Sequence, residues 1–124
     1  ITYEHKFIPP RGQPDWYYGI SPLGRIPALT DGDLKLADSA VIAQYLQDTR
    51  GNASLYGSTP AEAARVRWLE KYADYELAPH STFGVFFPRI VARSVGESAD
   101  ETQVLQTLQN RLPPLFDYLE KDFQ

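Results

Sequence analysis

The 124-residue chain, 43% hydrophobic and 13% aromatic, is long enough to bury a core and lies within the usual size of one domain. A net charge of -4 gives no basic footprint for nucleic acid, no apolar run reaches the ~20 residues of a membrane span, and no secretory leader is visible, so a cytoplasmic protein with no nucleic acid or membrane partner is expected. Cysteine is absent, which excludes disulfides, thiolate metal sites and a protein-borne redox pair; methionine is absent too, so Ile1 is not expected to be a native start and the chain is expected to be part of something longer.

From Ile1 to Ile8, the residues Ile1, Tyr3, His5 and Phe7 alternate with Thr2, Glu4 and Lys6, the period-two pattern of an edge or half-buried strand, which Pro9 and Pro10 end. Residues 11–22 place turn formers on both sides of Trp16-Tyr17-Tyr18 and read as a loop with a short irregular helix whose aromatics pack back onto a sheet. Two antiparallel strands, Ile26 to Thr30 and Leu34 to Ala37, flank Asp31-Gly32-Asp33, where the Asp-Gly pair is a hairpin signal. Ser39 then opens a helix ending near Thr49, with Val41, Ile42, Tyr45 and Leu46 on one face and Gly51 as its stop.

Residues 1–51 thus form a first lobe, residues 52–59 a linker, and residues 60–124 a helical lobe. Thr59-Pro60-Ala61-Glu62 joins a hydroxyl cap, a proline at the first helical position and a glutamate at the third. The stripe Val66, Leu69, Tyr72, Ala73 and Leu77 continues that helix to Pro79 and Pro88, where a kink or break is expected. Ser98-Ala99-Asp100-Glu101 repeats the capping pattern. The following stripe, Val104, Leu105, Leu108, Leu112, Leu115, Phe116 and Leu119, keeps its phase across Pro113 and Pro114, which predicts one kinked helix and not two.

Two motifs carry the chemistry. Ser21-Pro22-Leu23-Gly24-Arg25-Ile26-Pro27-Ala28-Leu29 bends at Pro22 and Gly24 and enters a strand through a proline that has no donor for a sheet ladder. Leu36-Ala37-Asp38-Ser39 ends the next strand with a carboxylate and a hydroxyl, directly before a helix whose first amides need acceptors. Together they describe a binding edge for a small peptide, although Asp38 or Ser39 as a plain helix cap is an equally physical use. His5 and His80 have no acidic companions at ligand spacing, so no metal is expected.

The order of these motifs, with Leu55-Tyr56 and Trp68-Leu69-Glu70-Lys71-Tyr72-Ala73-Asp74, resembles the cytosolic glutathione S-transferases, especially bacterial members, over essentially the whole chain. The resemblance implies an α/β thioredoxin-like glutathione-binding lobe followed by part of an all-helical lobe. In that family a first strand and helix precede the segment matching residues 1–8 and carry the Ser, Tyr or Cys that activates the thiol; neither they nor the later helices match anything here. The catalytic residue is therefore unassigned, and the chain is expected to be incomplete or completed by another segment or subunit.

By the same resemblance the substrates are glutathione and an electrophilic small molecule, and the assembly is a homodimer. Ile26 and Pro27 would form the peptide edge through a cis bond, Ser39 would take the glutamyl carboxylate and Asp38 the ammonium group. Arg25 is a weaker candidate for the glycine carboxylate. His80, Phe83, Phe86 and Phe87 are candidates for an apolar substrate wall, although packing beside Pro79 serves them equally. The competing function is a non-catalytic transferase-like binding or interaction module, since one architecture hosts unrelated roles; disulfide or peroxide chemistry is disfavoured by the absence of cysteine.

Overall fold

The computed structural model describes residues 1–51 and 54–123, so Asn52 and Ala53 of the expected linker lie outside the described residues. The chain divides into two compact units, Ile1–Ser58 and Thr59–Gln124.

In the first unit, helix α1 is the single turn Asp15–Tyr18, followed by strands β1 (Leu29–Asp31) and β2 (Leu34–Leu36) and helix α2 (Ser39–Arg50). The strands pair antiparallel with Leu29 opposite Leu36, Thr30 opposite Lys35 and Asp31 opposite Leu34. Gly32, the first of two loop residues, takes φ +59°, a left-handed value that only glycine adopts freely. Both strands are shorter than the apolar runs. Ile26 and Ala28 lie before the ladder, and the first backbone pair comes at Leu29.

Residues 1–8 are not a strand, contrary to their alternation. Ile1, Tyr3 and Phe7 are each more than three-quarters exposed, and no strand among the described residues lies beside them. A strand needs a partner for its amides and carbonyls; the period-two pattern alone supplies none. Of the three adjacent aromatics, only Tyr17 is buried, while Trp16 and Tyr18 remain exposed; Trp16 meets Tyr17 edge-on at 5.9 Å between ring centres.

Helix α2 is tied to the hairpin by one carboxylate. The Tyr45 hydroxyl donates to Asp31 Oδ2 at 2.8 Å and Arg50 Nη2 donates to the same oxygen at 2.7 Å. These donors hold the Asp31 carboxyl below its ordinary pKa, with the Arg50 bond the largest cause, and Tyr45 is pushed up by the same contact. Gly51 ends the helix at φ -73°, in extended backbone, so its left-handed freedom is not used.

In the second unit, Thr59 caps α3 (Pro60–Tyr72) by accepting from the Glu62 amide, while the Glu62 carboxylate accepts from the Thr59 amide. The kink or break expected at Pro79 and Pro88 takes the form of widened turns, and the helix is not interrupted. Helical backbone continues through two widened segments, Ala73–Leu77 and Pro79–Val91, into the short α4 (Ala92–Ser94). The Ala78 amide reaches back to Ala73 and the Ala92 amide to Phe87, five residues in place of four. Widened turns give room for a ring that would otherwise press on the carbonyl four residues back.

The same device precedes Pro113 and Pro114. Helix α5 (Glu101–Gln106) passes through the wide turn Thr107–Arg111, where Leu112 bonds Thr107, into α6 (Leu112–Asp122). The cap of α5 is Asp100, whose Oδ1 accepts from Thr102 and Gln103 at 3.1 and 3.3 Å, and not Ser98 as the motif implied. The aspartate stands immediately before the helix, within reach of both amides. Val104 and Leu112 are the buried apolar residues of this unit. Trp68, Tyr72 and Tyr118 stack with ring centres 5.2 to 5.4 Å apart, and the Tyr72 hydroxyl donates to the Leu115 carbonyl at 2.8 Å, joining α3 to α6.

Candidate ligand-binding site

The turn from Ser21 to Arg25 is held from inside the first unit. Gly24 sits at φ +67°, and the Gln13 side-chain amide donates to its carbonyl at 2.8 Å. A Cβ on Gly24 would come within 2.6 Å of Gln13 Oε1, the movable end of that side chain, so it is the left-handed backbone that selects glycine. One residue later, the Arg25 carbonyl accepts from two hydroxyls, Tyr17 at 2.6 Å and Ser21 at 2.9 Å. Ser21 is fully buried and Tyr17 nearly so.

This anchorage delivers Arg25, Ile26 and Pro27 to the surface. The Ile26–Pro27 peptide bond is cis, and both residues are exposed. Ile26 precedes the β1–β2 ladder, and its backbone makes no hydrogen bond among the described residues. A free donor and acceptor on adjacent exposed backbone form an edge to which an extended peptide can add.

Asp38 closes the other side. It is the cap of α2, with Oδ1 accepting from the Ala40 and Val41 amides at 3.1 and 3.2 Å. Its second oxygen, Oδ2, lies 3.8 Å from Arg25 Nη1. The cap thus resolves the choice between Asp38 and Ser39 in favour of the aspartate. Ser39 occupies the first helical position, is exposed, and its hydroxyl makes no hydrogen bond among the described residues. The Asp38 cap occupies the Ala40 and Val41 amides, which leaves the amide and hydroxyl of Ser39 as the donors available to an anion.

The Arg25–Asp38 pair therefore brings the two sequence motifs together at one place. Sequence reasoning gave Arg25 little weight because an arginine in a turn is usually solvated. No signal in the sequence reports that its partner is the helix cap 13 residues on. It also missed Tyr17 and Gln13, whose polar ends act on backbone carbonyls and leave no motif.

In the second unit Phe83, Phe86 and Ile90 are exposed, and His80 and Phe87 are half-buried. Phe87 meets Phe83 and Phe86 at 5.4 and 6.0 Å between ring centres. A depression beside Arg89, Arg93, Glu97 and Glu101 contains none of the ligand-site candidates named from the sequence.

Residues 1–54 match the family described as glutathione S-transferase, N-terminal domain. A solved structure, glutathione transferase F2 from Populus trichocarpa, superposes on 87% of this chain with a TM-score of 0.72 at 27% identity. Residues 1–54 belong to the glutathione S-transferase N-terminal domain family. The chain has the transferase fold, a short thioredoxin-like segment followed by helices. Glutathione S-transferase F10 of Arabidopsis thaliana is 31% identical over 111 residues, 87% of this chain and 50% of that protein. A glutathione S-transferase of Triticum aestivum is 50% identical over 48 residues, 39% of this chain and 22% of its own length.

Glutathione S-transferase omega-2 of Mus musculus is 38% identical over 70 residues, 56% of this chain and 28% of its own length. The chain thus spans half or less of these curated relatives. They are plant and mammalian transferases, which corrects the expectation of a bacterial-type member. Among the described residues no helix is long and apolar enough to cross a membrane.

Proposed function

We propose that this protein binds reduced glutathione along the surface running from Arg25 to Ser39, and that the whole protein transfers the glutathione sulfur to an electrophilic small molecule. The observation that carries the reading is the Arg25–Asp38 pair, which gathers a free backbone edge, a carboxylate and a helix N-terminus within one short stretch of surface. Glutathione has the matching parts: an ammonium and carboxylate at the glutamyl end, an extended cysteinyl unit, and a terminal glycine carboxylate. The Ser39 amide and hydroxyl meet the glutamyl carboxylate, favoured by the α2 dipole. Asp38 Oδ2 meets the ammonium and exchanges its Arg25 partner for it. The Ile26 backbone pairs with the cysteinyl unit, with Pro27 alongside.

The reaction joins the thiolate sulfur to an electrophilic carbon, with the leaving group departing with its bonding pair or, in an addition, with a proton taken up by the product. A free thiol titrates near ~8.5, so the reaction near neutral pH needs a donor directed at the sulfur. None of the present residues is assigned that role. A homodimer working in the cytosol, with a part in removing electrophiles, completes the reading; the rice relative named as cytosolic is consistent with it.

Titration calorimetry with reduced glutathione tests the site. Asp38→Asn keeps an amide oxygen for the helix cap but removes the charge, and Ser39→Ala removes the hydroxyl. Each is expected to weaken binding roughly tenfold, the scale of a hydrogen bond to a charged group. Binding unaffected by both substitutions overturns the site. No binding by the wild type favours the non-catalytic interaction module.

A further inference from the structure

The Tyr17 and Ser21 hydroxyls converge on one acceptor, the Arg25 carbonyl, at 2.6 and 2.9 Å. A carbonyl oxygen has two lone pairs, so this acceptor is filled from within the protein. Both donors are buried, which fixes the carbonyl pointing inward. The Arg25–Ile26 peptide bond is trans, since the cis bond among the described residues is the next one, Ile26–Pro27. In a planar trans peptide the C=O and N–H point in opposite directions. An inward Arg25 carbonyl therefore obliges the Ile26 N–H to point outward, toward the surface where Ile26 is exposed.

We infer that Tyr17 and Ser21 are positioning residues: a two-hydroxyl clamp on the Arg25 carbonyl that aims the Ile26 N–H at the cysteinyl carbonyl of the bound peptide. The inference rests on the glutathione reading above for the identity of the ligand, while the clamp itself is a property of the ligand-free protein. Neither hydroxyl touches the ligand. Their effect is transmitted through one rigid peptide unit, and the Gln13 bond to the Gly24 carbonyl steadies the residue before it. With one hydroxyl gone the other still holds the carbonyl, so the pair is redundant in part and its loss is cooperative.

The test compares the wild type, Tyr17→Phe, Ser21→Ala and the double variant, each checked for folding by circular dichroism and thermal melting. Each single variant is expected to bind reduced glutathione roughly three- to tenfold more weakly, the scale of one neutral hydrogen bond, and the double variant to lose more than the product of the two. A glutathione analogue with an E-alkene in place of the cysteinyl–glycine amide has no carbonyl for the Ile26 N–H. It is expected to bind all four proteins equally. A loss of the same factor for both ligands would mean a merely structural role and overturns the inference, as does unchanged glutathione affinity in the double variant.

Relaxation dispersion at the Ile26 amide reads the clamp without ligand. The double variant is expected to show exchange broadening there that the wild type lacks. Should the wild type fail to bind glutathione, the functional reading falls, and this measurement alone decides the clamp: broadening sustains it and its absence overturns it. Should the double variant fail to fold, the single variants decide: a loss for glutathione but not for the alkene analogue sustains the clamp, and unchanged glutathione affinity in both overturns it.

Discussion

The first unit holds two segments that look equally well specified and fare differently. Residues 1–8 carry a clean apolar alternation, yet they form no strand and residues 1–7 are exposed; residues 13–25 carry no periodicity, yet they form a turn with three side-chain bonds to backbone carbonyls. A strand pattern is a statement about a partner. A turn pattern closes on itself, because its donors and acceptors lie 4 to 11 positions apart in the same short segment. Local chemistry therefore survives where non-local chemistry waits for its other half.

The sharpest way to break the contrast is Gly24→Ala. Its φ is +67°, so urea denaturation should show a loss of about 1–2 kcal/mol, the cost of forcing an L side chain into left-handed backbone. Asp38→Ala should follow at about 1 kcal/mol, the worth of an aspartate cap, with Asp38→Asn recovering much of it. Recovery in stability without recovery of glutathione affinity would separate the cap from the ligand contact.

A smaller effect comes from acid. Asp31 has a folded pKa lowered from 3.8 by Arg50 and Tyr45, so its contribution is present above 3.8 and is lost as pH falls through the lower folded value. The acid-induced loss of hairpin and α2 signals should shrink in Asp31→Asn. Equal acid sensitivity in that variant would remove Asp31 from the account. Smallest of all, Phe7→Ser should change stability by less than about 0.5 kcal/mol in this chain, as for any exposed side chain. A larger loss would show residues 1–8 packed in solution.

Much of the fold was legible because it was written locally. The Asp-Gly turn, the Thr59-to-Glu62 box and the start of α2 each depend on residues within four positions. The helical stripes were legible too, but at Pro79 and Pro88 the sequence left a kink and a break both open: a missing amide admits a wide turn as well as a break, and only packing of the whole helix chooses. In the candidate site, Ile26, Pro27, Asp38 and Ser39 were visible as motifs. The division of labour between Asp38 and Ser39 was not, because either side chain satisfies a cap. Arg25 and Tyr17 were invisible as partners, since an ion pair and a hydroxyl-to-carbonyl bond have no composition.

The ties that shape the first unit are short along the chain. Tyr17 to Arg25 spans 8 positions, Gln13 to Gly24 11, Asp31 to Tyr45 14 and Asp31 to Arg50 19. Loops of about ten residues close in roughly 10–100 ns, and contacts of low sequence separation make for fast folding. During synthesis the turn, hairpin and α2 can assemble once Arg50 has cleared the ribosome, before the helices that follow are made. The surface proposed to take glutathione is then an early product of folding, formed while the residues that follow are still a nascent chain.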